Sequence, residues 1–298
     1  MARMKRAFAR HRLFQPDEIR FRLINPASPP TVNRHHSPQP LMSDLSALVR
    51  DLVVANRILA CENVVDAYGH VSVRHPDNPH RFLLATSVAP EMVEEAHVIE
   101  FNLDCTPVRD DGRPLYHERF IHGGIYETRP DVQAVVHAHA EDVLPFSISA
   151  TPLRPVIHSG SFMGAHVPVW DMADRFGRGT NMLVTNMEQA RDLAHCLGAN
   201  NVVLMRGHGF SAAARSLVEV VRMAVYVPRN ARVQMNALRL GGEINPLYDG
   251  EIAARNAGYK PYSLETRRAW LYWARKAGCD HLVAEQPVDH VHKPWGSE

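Results

Sequence analysis

Apolar and polar positions along this chain follow two rhythms. Leu45, Leu48, Leu52, Val53, Ile58 and Leu59 recur at helical spacing. They predict an amphipathic helix to about Glu62, with Ser43 or Asp44 as its N-cap. Short apolar runs follow: HVSVR (70–74), RFLLAT (81–86) and VIEFNLD (98–104). These predict strands of an antiparallel sheet, with HPDNP (75–79) as a turn. A helix near 119–126 precedes the strand AVVHAHA (134–140). RPVIH (154–158), HVPVW (166–170) and MLVT (182–185) are further strand candidates. The pattern then predicts a helix over 187–197, the strand NVVLMR (201–206) and one long helix over 216–240. Pro228 falls inside that helix and predicts a kink. A last helix over 263–276 carries Trp270, Leu271, Tyr272 and Trp273. Strands and helices mix without strict βαβ alternation and without an internal repeat. The expectation is an α/β fold, a central mainly antiparallel sheet layered between helices.

The first 41 residues break this rhythm. They hold eight basic residues, the two acids Asp17 and Glu18, and six prolines, for a net charge of +6. The prolines oppose helix and central strand alike. The basic start is faintly like an organelle-targeting peptide, but Asp17, Glu18 and the prolines fit that poorly. The expectation is a disordered leader (1–41), a domain at 42–255 and a helical tail at 256–298. The aromatic residues Trp270, Tyr272, Trp273 and Trp295 of that tail are expected to pack on their own or a neighbouring subunit.

Composition narrows the function. With 45% hydrophobic residues in 298, the chain can build a core. Its net charge is +1, which argues against nucleic acid bound through bulk charge. No uninterrupted apolar run reaches bilayer-spanning length, so no membrane partner is expected. Cys61, Cys105, Cys196 and Cys279 lie far apart and read as free thiols of a reducing, cytoplasmic protein. Eighteen histidines against four cysteines make imidazole the expected ligand of any metal.

Three segments offer chemistry. In AVVHAHA, His137 and His139 stand at i and i+2 of a strand and point to one face, where they can share a divalent ion. An isolated HxH equally describes two ordinary histidines. In Arg206-Gly207-His208-Gly209, the glycines follow an apolar strand and precede a helical pattern, projecting a histidine from a strand end; the plain alternative is a glycine-rich turn. Glu118, flanked by His117 and His122, precedes a helix, where an acid is also favoured by the helix dipole alone.

Taken together, Gly69-x-Val71-Ser72-Val73-Arg74, Thr86-Ser87, Glu118 with His122, VVHAH and GHG resemble the class II aldolase/adducin family over about residues 43–240. That resemblance implies an αβα fold, usually a homotetramer with sites at subunit interfaces. It implies one divalent ion held by His137, His139 and His208, and Glu118 as catalytic acid/base and further ligand. Zinc or manganese suits such a set, and magnesium or iron is compatible with it. Three imidazoles leave coordination positions open, as at catalytic sites. A bound dication stabilises an enolate as a carbon–carbon bond breaks, and Glu118 moves the proton.

Departures from the sugar-phosphate aldolases refine this. Those enzymes have Asn where this chain has His70. The segment Ala85–Pro90, with Thr86 and Ser87, lacks the Lys and Gly that would cradle a phosphate. Arg206 stands where those aldolases have Asn; its guanidinium either forks a carboxylate or makes a structural ion pair. His158 is a further candidate lining residue. His70, Ser72, Thr86, Ser87, His158 and Arg206 are thus the candidate substrate contacts. The segments YGHVSVR, RPLYHERFIHGGIY and LMRGHG and the Trp-rich tail are similar to the decarboxylase branch, whose substrates are hydroxypyridine carboxylates, dihydroxyphthalates or hydroxy-carboxymuconic semialdehydes. The expected function is decarboxylation of such a small carboxylic acid. The alternatives are an aldolase acting on an unphosphorylated hydroxy-keto acid or a sugar phosphate, and an adducin-like interaction module without catalysis.

Overall fold

The computed structural model describes residues 45–260 and 263–283. The leader, the cap candidates Ser43 and Asp44, and Trp295 lie outside the described residues. Seven strands form one sheet: β1 (His70–Arg74), β2 (Arg81–Ala85), β3 (Val98–Asn102), β4 (Ala134–Ala138), β5 (Val169–Trp170), β6 (Val202–Met205) and β7 (Gly209–Ala214). Their order is β3-β2-β1-β4-β7-β6-β5. Every pair is antiparallel except β5 with β6. The helices are α1 (Leu45–Cys61), α2 (Phe120–Thr128), α3 (Leu144–Ile148), α4 (Met172–Phe176), α5 (Met187–Leu197), α6 (Leu217–Leu240), α7 (Asp249–Ala257) and α8 (Leu264–Lys276).

Alternation along the strands sorts the core into two layers. Val71 and Val73, Val136, Leu204, Phe210 and Ala212 pack with α1, α6 and α8 on one face. Val135, Val203, Met205 and Ala213 pack with α2 and α5 on the other. Trp270 and Trp273 of α8 are buried in the first layer, while Tyr272 is exposed. The α2 face of β1, β4 and β7 also carries polar positions: His70, Ser72, Arg74, His137 and Ser211 are all buried there. No helix among the described residues is long and apolar enough to cross a membrane.

Several sequence expectations change. RPVIH is not a strand, and the reason is where its backbone bonds go. Asn230 Oδ1 accepts the amides of Val156 and Ile157 at 2.8 and 3.2 Å, and its Nδ2 donates to the Arg154 carbonyl at 2.7 Å. Gln234 similarly takes the Arg154 amide and donates to the Pro152 carbonyl. Two α6 side chains thus do the work of a neighbouring strand. MLVT is also not a strand. Met182 has a positive φ of 64°, and the amides of Leu183, Val184 and Thr185 donate to Asn181, Glu118 and Gln189 side chains. HVPVW contributes only Val169 and Trp170. The GHG segment leads into strand β7 and not into a helix, forming a hairpin in which Met205 pairs with Gly209. The helix α6 continues through Pro228 without a break in its assignment.

Asn230 is fully buried, so replacing it orphans three backbone groups at once. Asn230→Ala is expected to cost about 1–3 kcal/mol per orphaned group, read as a lower urea midpoint. An unchanged midpoint would show that the loop at 152–157 does not depend on that amide.

Candidate metal centre and its cavity

The sheet register brings the histidines together. His137 pairs with His70 on β1 and with Ser211 on β7. His139 follows just past the end of β4, and His208 sits in the β6–β7 turn. Gly207 there takes φ 63°, and Gly209 lets β7 pass the end of β4: a Cβ at Gly209 would lie 2.2 Å from the Ala138 carbonyl oxygen. Glu118 comes from the short 3-10 turn His117–Arg119 at the start of α2.

The His137 and His139 Nε2 atoms are 3.0 Å apart, and the His208 and His139 Nε2 atoms 3.1 Å. Glu118 Oε2 lies 3.6 Å from His137 Nε2 and 3.3 Å from His208 Nε2. One ligand atom from each of the four residues falls within 4.8 Å of all the others. Imidazole nitrogens about 2.0–2.1 Å from one zinc ion stand roughly 3 Å from each other, which matches this spacing. Burial pushes His137 well below the ordinary imidazole value, and burial with the neighbouring His208 lowers His139. Both rings are therefore neutral and offer lone pairs. His208 Nδ1 is buried without a hydrogen-bond partner. The donor set fits one divalent cation.

Burial alone would raise the Glu118 carboxyl. The hydrogen bond with His208 and the Val184 amide outweigh it and hold the group below the ordinary carboxylate value. The Val184 amide donates to Oε1 at 3.0 Å, so Oε2 is the oxygen turned to the histidines.

Beside this cluster opens a cavity of about 290 Å³. Glu118, His139, His70 and Ser87 line it, with Tyr68 and Tyr116, and among the described residues no Lys or Arg is in its walls. Ser72 does not reach the cavity. Its Oγ lies 2.6 Å from His122 Nδ1 and 2.7 Å from the Tyr126 hydroxyl, while His122 Nε2 lies 2.6 Å from His70 Nδ1. Burial holds His70 and His122 neutral, the latter at about 3. A hydrogen-bonded chain Tyr126–Ser72–His122–His70 thus runs from the interior to the cavity wall.

The remaining candidates lie elsewhere. Thr86 is buried, and its amide donates to the His97 carbonyl. His158 is exposed on a 3-10 turn that packs against α6 and α7. The Arg206 guanidinium pairs with Asp171, which is the structural-pair alternative. Sequence reading missed Tyr68, Tyr116, Tyr126 and the Val184 amide. Only Tyr126 left a signal, standing four residues after His122 and so on the same helix face. Ser72→Ala would leave His122 Nδ1 and the Tyr126 hydroxyl without their shared partner. The expected loss is about 1–3 kcal/mol of stability in urea unfolding; no loss would mean that the chain does not hold α2 to the sheet.

The model of the Class II Aldolase and Adducin N-terminal domain matches residues 50–235. The decarboxylase tropJ of Talaromyces stipitatus is 38% identical over 204 residues, 64% of this chain and 77% of that protein. The 3,4-dihydroxyphthalate decarboxylase of Arthrobacter keyseri is 29% identical over 217 residues, 68% of this chain and 83% of that protein. Among solved structures, an aldolase II superfamily protein from Pseudomonas syringae superimposes with a TM-score of 0.67 at 23% identity, covering 81% of this chain and 97% of its own. The chain belongs to the class II aldolase and adducin family.

Proposed function

We propose that the protein is a metal-dependent carboxy-lyase that removes carbon dioxide from a hydroxylated aromatic or hydroxymuconate-type acid. The observation that carries this reading is a cluster of three imidazoles and one carboxylate at the wall of a cavity that has no Lys or Arg among its described residues. Among the described residues a phosphate dianion finds no guanidinium or ammonium there, whereas Tyr68, His70 and Tyr116 in the wall offer rings to a flat acid. Decarboxylases among its relatives, tropJ and the Arthrobacter keyseri enzyme among them, support the same choice.

His137, His139 and His208, with Glu118, would hold one divalent ion, zinc or manganese by preference, with magnesium or iron also suited to the donors. When bound, that ion supplies Lewis acidity, drawing electron density from a substrate oxygen as the carbon–carbon bond breaks. The residues of the chain handle the proton. Glu118 starts ionised, so its Oε2 takes the proton of the substrate hydroxyl. After carbon dioxide leaves, the same oxygen returns that proton to the ring carbon, and the balance closes. The Val184 amide on Oε1 keeps the carboxylate in one orientation during both transfers. His70 and Ser87 face the cavity and orient the acid. We read the enzyme as a cytoplasmic homotetramer with its sites at subunit interfaces, in keeping with the family resemblance and with cysteines that are all free.

An aldolase reaction shares the broken carbon–carbon bond but releases an aldehyde. A panel of hydroxylated aromatic acids and hydroxy-keto acids, assayed for both products, separates the two. Carbon dioxide release is expected, and aldehyde release alone would contradict the proposal. Glu118→Gln keeps an oxygen for the Val184 amide but replaces Oε2 with a nitrogen that cannot relay the proton. Turnover should fall by about 10²–10⁴-fold with the metal content retained. Full turnover in that variant would remove Glu118 from the proton transfer.

A further inference from the structure

A second cavity, of about 100 Å³, lies where α6 meets the segment carrying α7. It sits by Arg215, just beyond the end of β7 at Ala214, whereas His208 precedes the other end at Gly209. Six residues of strand separate the two places, roughly 20 Å at 3.3–3.4 Å per residue. Three of its wall residues, Arg255, Asn256 and Tyr259, lie outside residues 50–235 matched by the family model.

Its arginines are unequally served. Arg255 pairs with Glu265 at 2.9 Å. Arg215 is answered by Glu219, whose Oε2 accepts the Arg215 amide at 3.1 Å and whose Oε1 stands 3.8 Å from Nη2. Arg222 is different. It is only 7% exposed, and its guanidinium stacks on the rings of Tyr226 and Tyr259, 5.4 and 5.1 Å from their centroids. No hydrogen bond or ion pair reaches it among the described residues. The Tyr259 hydroxyl in the same wall is also buried without a hydrogen-bond partner. Glu219 in the same wall lends Arg222 a negative field but no hydrogen bond or ion pair. A buried guanidinium with unfilled N–H donors is costly, and here it shares a cavity with an unpartnered O–H donor. Ring stacking holds the planar fork while leaving its N–H groups free, an arrangement suited to an oxyanion.

We propose that this cavity binds a small oxyanion, the carboxylate or phosphate group of a ligand, gripped by the Arg222 guanidinium and the Tyr259 hydroxyl. Its occupant ties the segment after α7 to α6 and so stabilises the folded chain. The site is separate from the metal cluster and does not depend on the reaction proposed there.

The test is thermal unfolding of the full chain in phosphate, in malonate and in chloride of equal ionic strength. At saturating phosphate or malonate, Tm should rise by about 2–5 °C over chloride. Tyr259→Phe removes one hydroxyl, and Arg222→Lys keeps the charge but loses the fork. Each should lose at least half of that rise. A rise with phosphate alone identifies a phosphoryl group as the ligand, and a rise with malonate alone a carboxylate. No rise with either anion in the wild type overturns the proposal. So does an equal rise in the wild type and both variants, which would place the anion elsewhere. If Arg222→Lys fails to fold, Tyr259→Phe decides alone.

Discussion

Everything in the candidate site depends on three imidazole nitrogens meeting at one point, with a carboxylate oxygen beside them. Left to themselves, lone pairs facing one another at 3.0 and 3.1 Å are unfavourable neighbours. A shared dication turns the same crowding into coordination. Strand register supplies the convergence. The pairing of β4 with β1 and β7 sets His137 opposite His70 and Ser211, and the β6–β7 turn returns His208 to the end of β4. A one-residue slip would carry His137 to the opposite face of the sheet. The apolar alternation that buries Val136 under α6 and Val135 under α2 therefore also aims the histidine.

Behind the histidine cluster stands a polar layer that the fold buries at some cost and then satisfies. His70, His122, Ser72 and Tyr126 bond to each other in sequence. Arg74 closes the inner end, donating to the carbonyls of Val132 and Tyr126 and lying 4.7 Å from the Tyr126 ring centroid. Such a network fixes the ring orientation of His70 at the cavity wall. On the other side of the cluster, the Val184 amide fixes Glu118. Segment 182–185 cannot join the sheet while it does this, so its apolar sequence goes to a loop that serves the site.

This explains what the sequence did and did not reveal. The helices α1, α5 and α8 and the strands β1, β2 and β4 carry clear periodicity, and their packing follows it. The i, i+2 spacing of His137 and His139 was legible because strand geometry makes it a shared face. The strand β7 was not, because Gly-Phe-Ser-Ala-Ala-Ala is buried on both faces in mid-sheet and shows no alternation. RPVIH looks like a strand by propensity, but its hydrogen bonds end on Asn230 and Gln234, more than 70 residues later. Local pattern cannot register a bond of that range. Arg206 illustrates the same point: its charge was visible, but its partner Asp171, 35 residues earlier, was not.

The central claim is most directly tested by the metal content of the purified chain, measured by elemental analysis before and after chelation and alongside His139→Ala. The account predicts one divalent ion per wild-type chain, a lower Tm once it is stripped, and little or no ion in the variant. A wild-type chain that takes up no divalent ion when offered zinc or manganese, and whose Tm chelators leave unmoved, would contradict it.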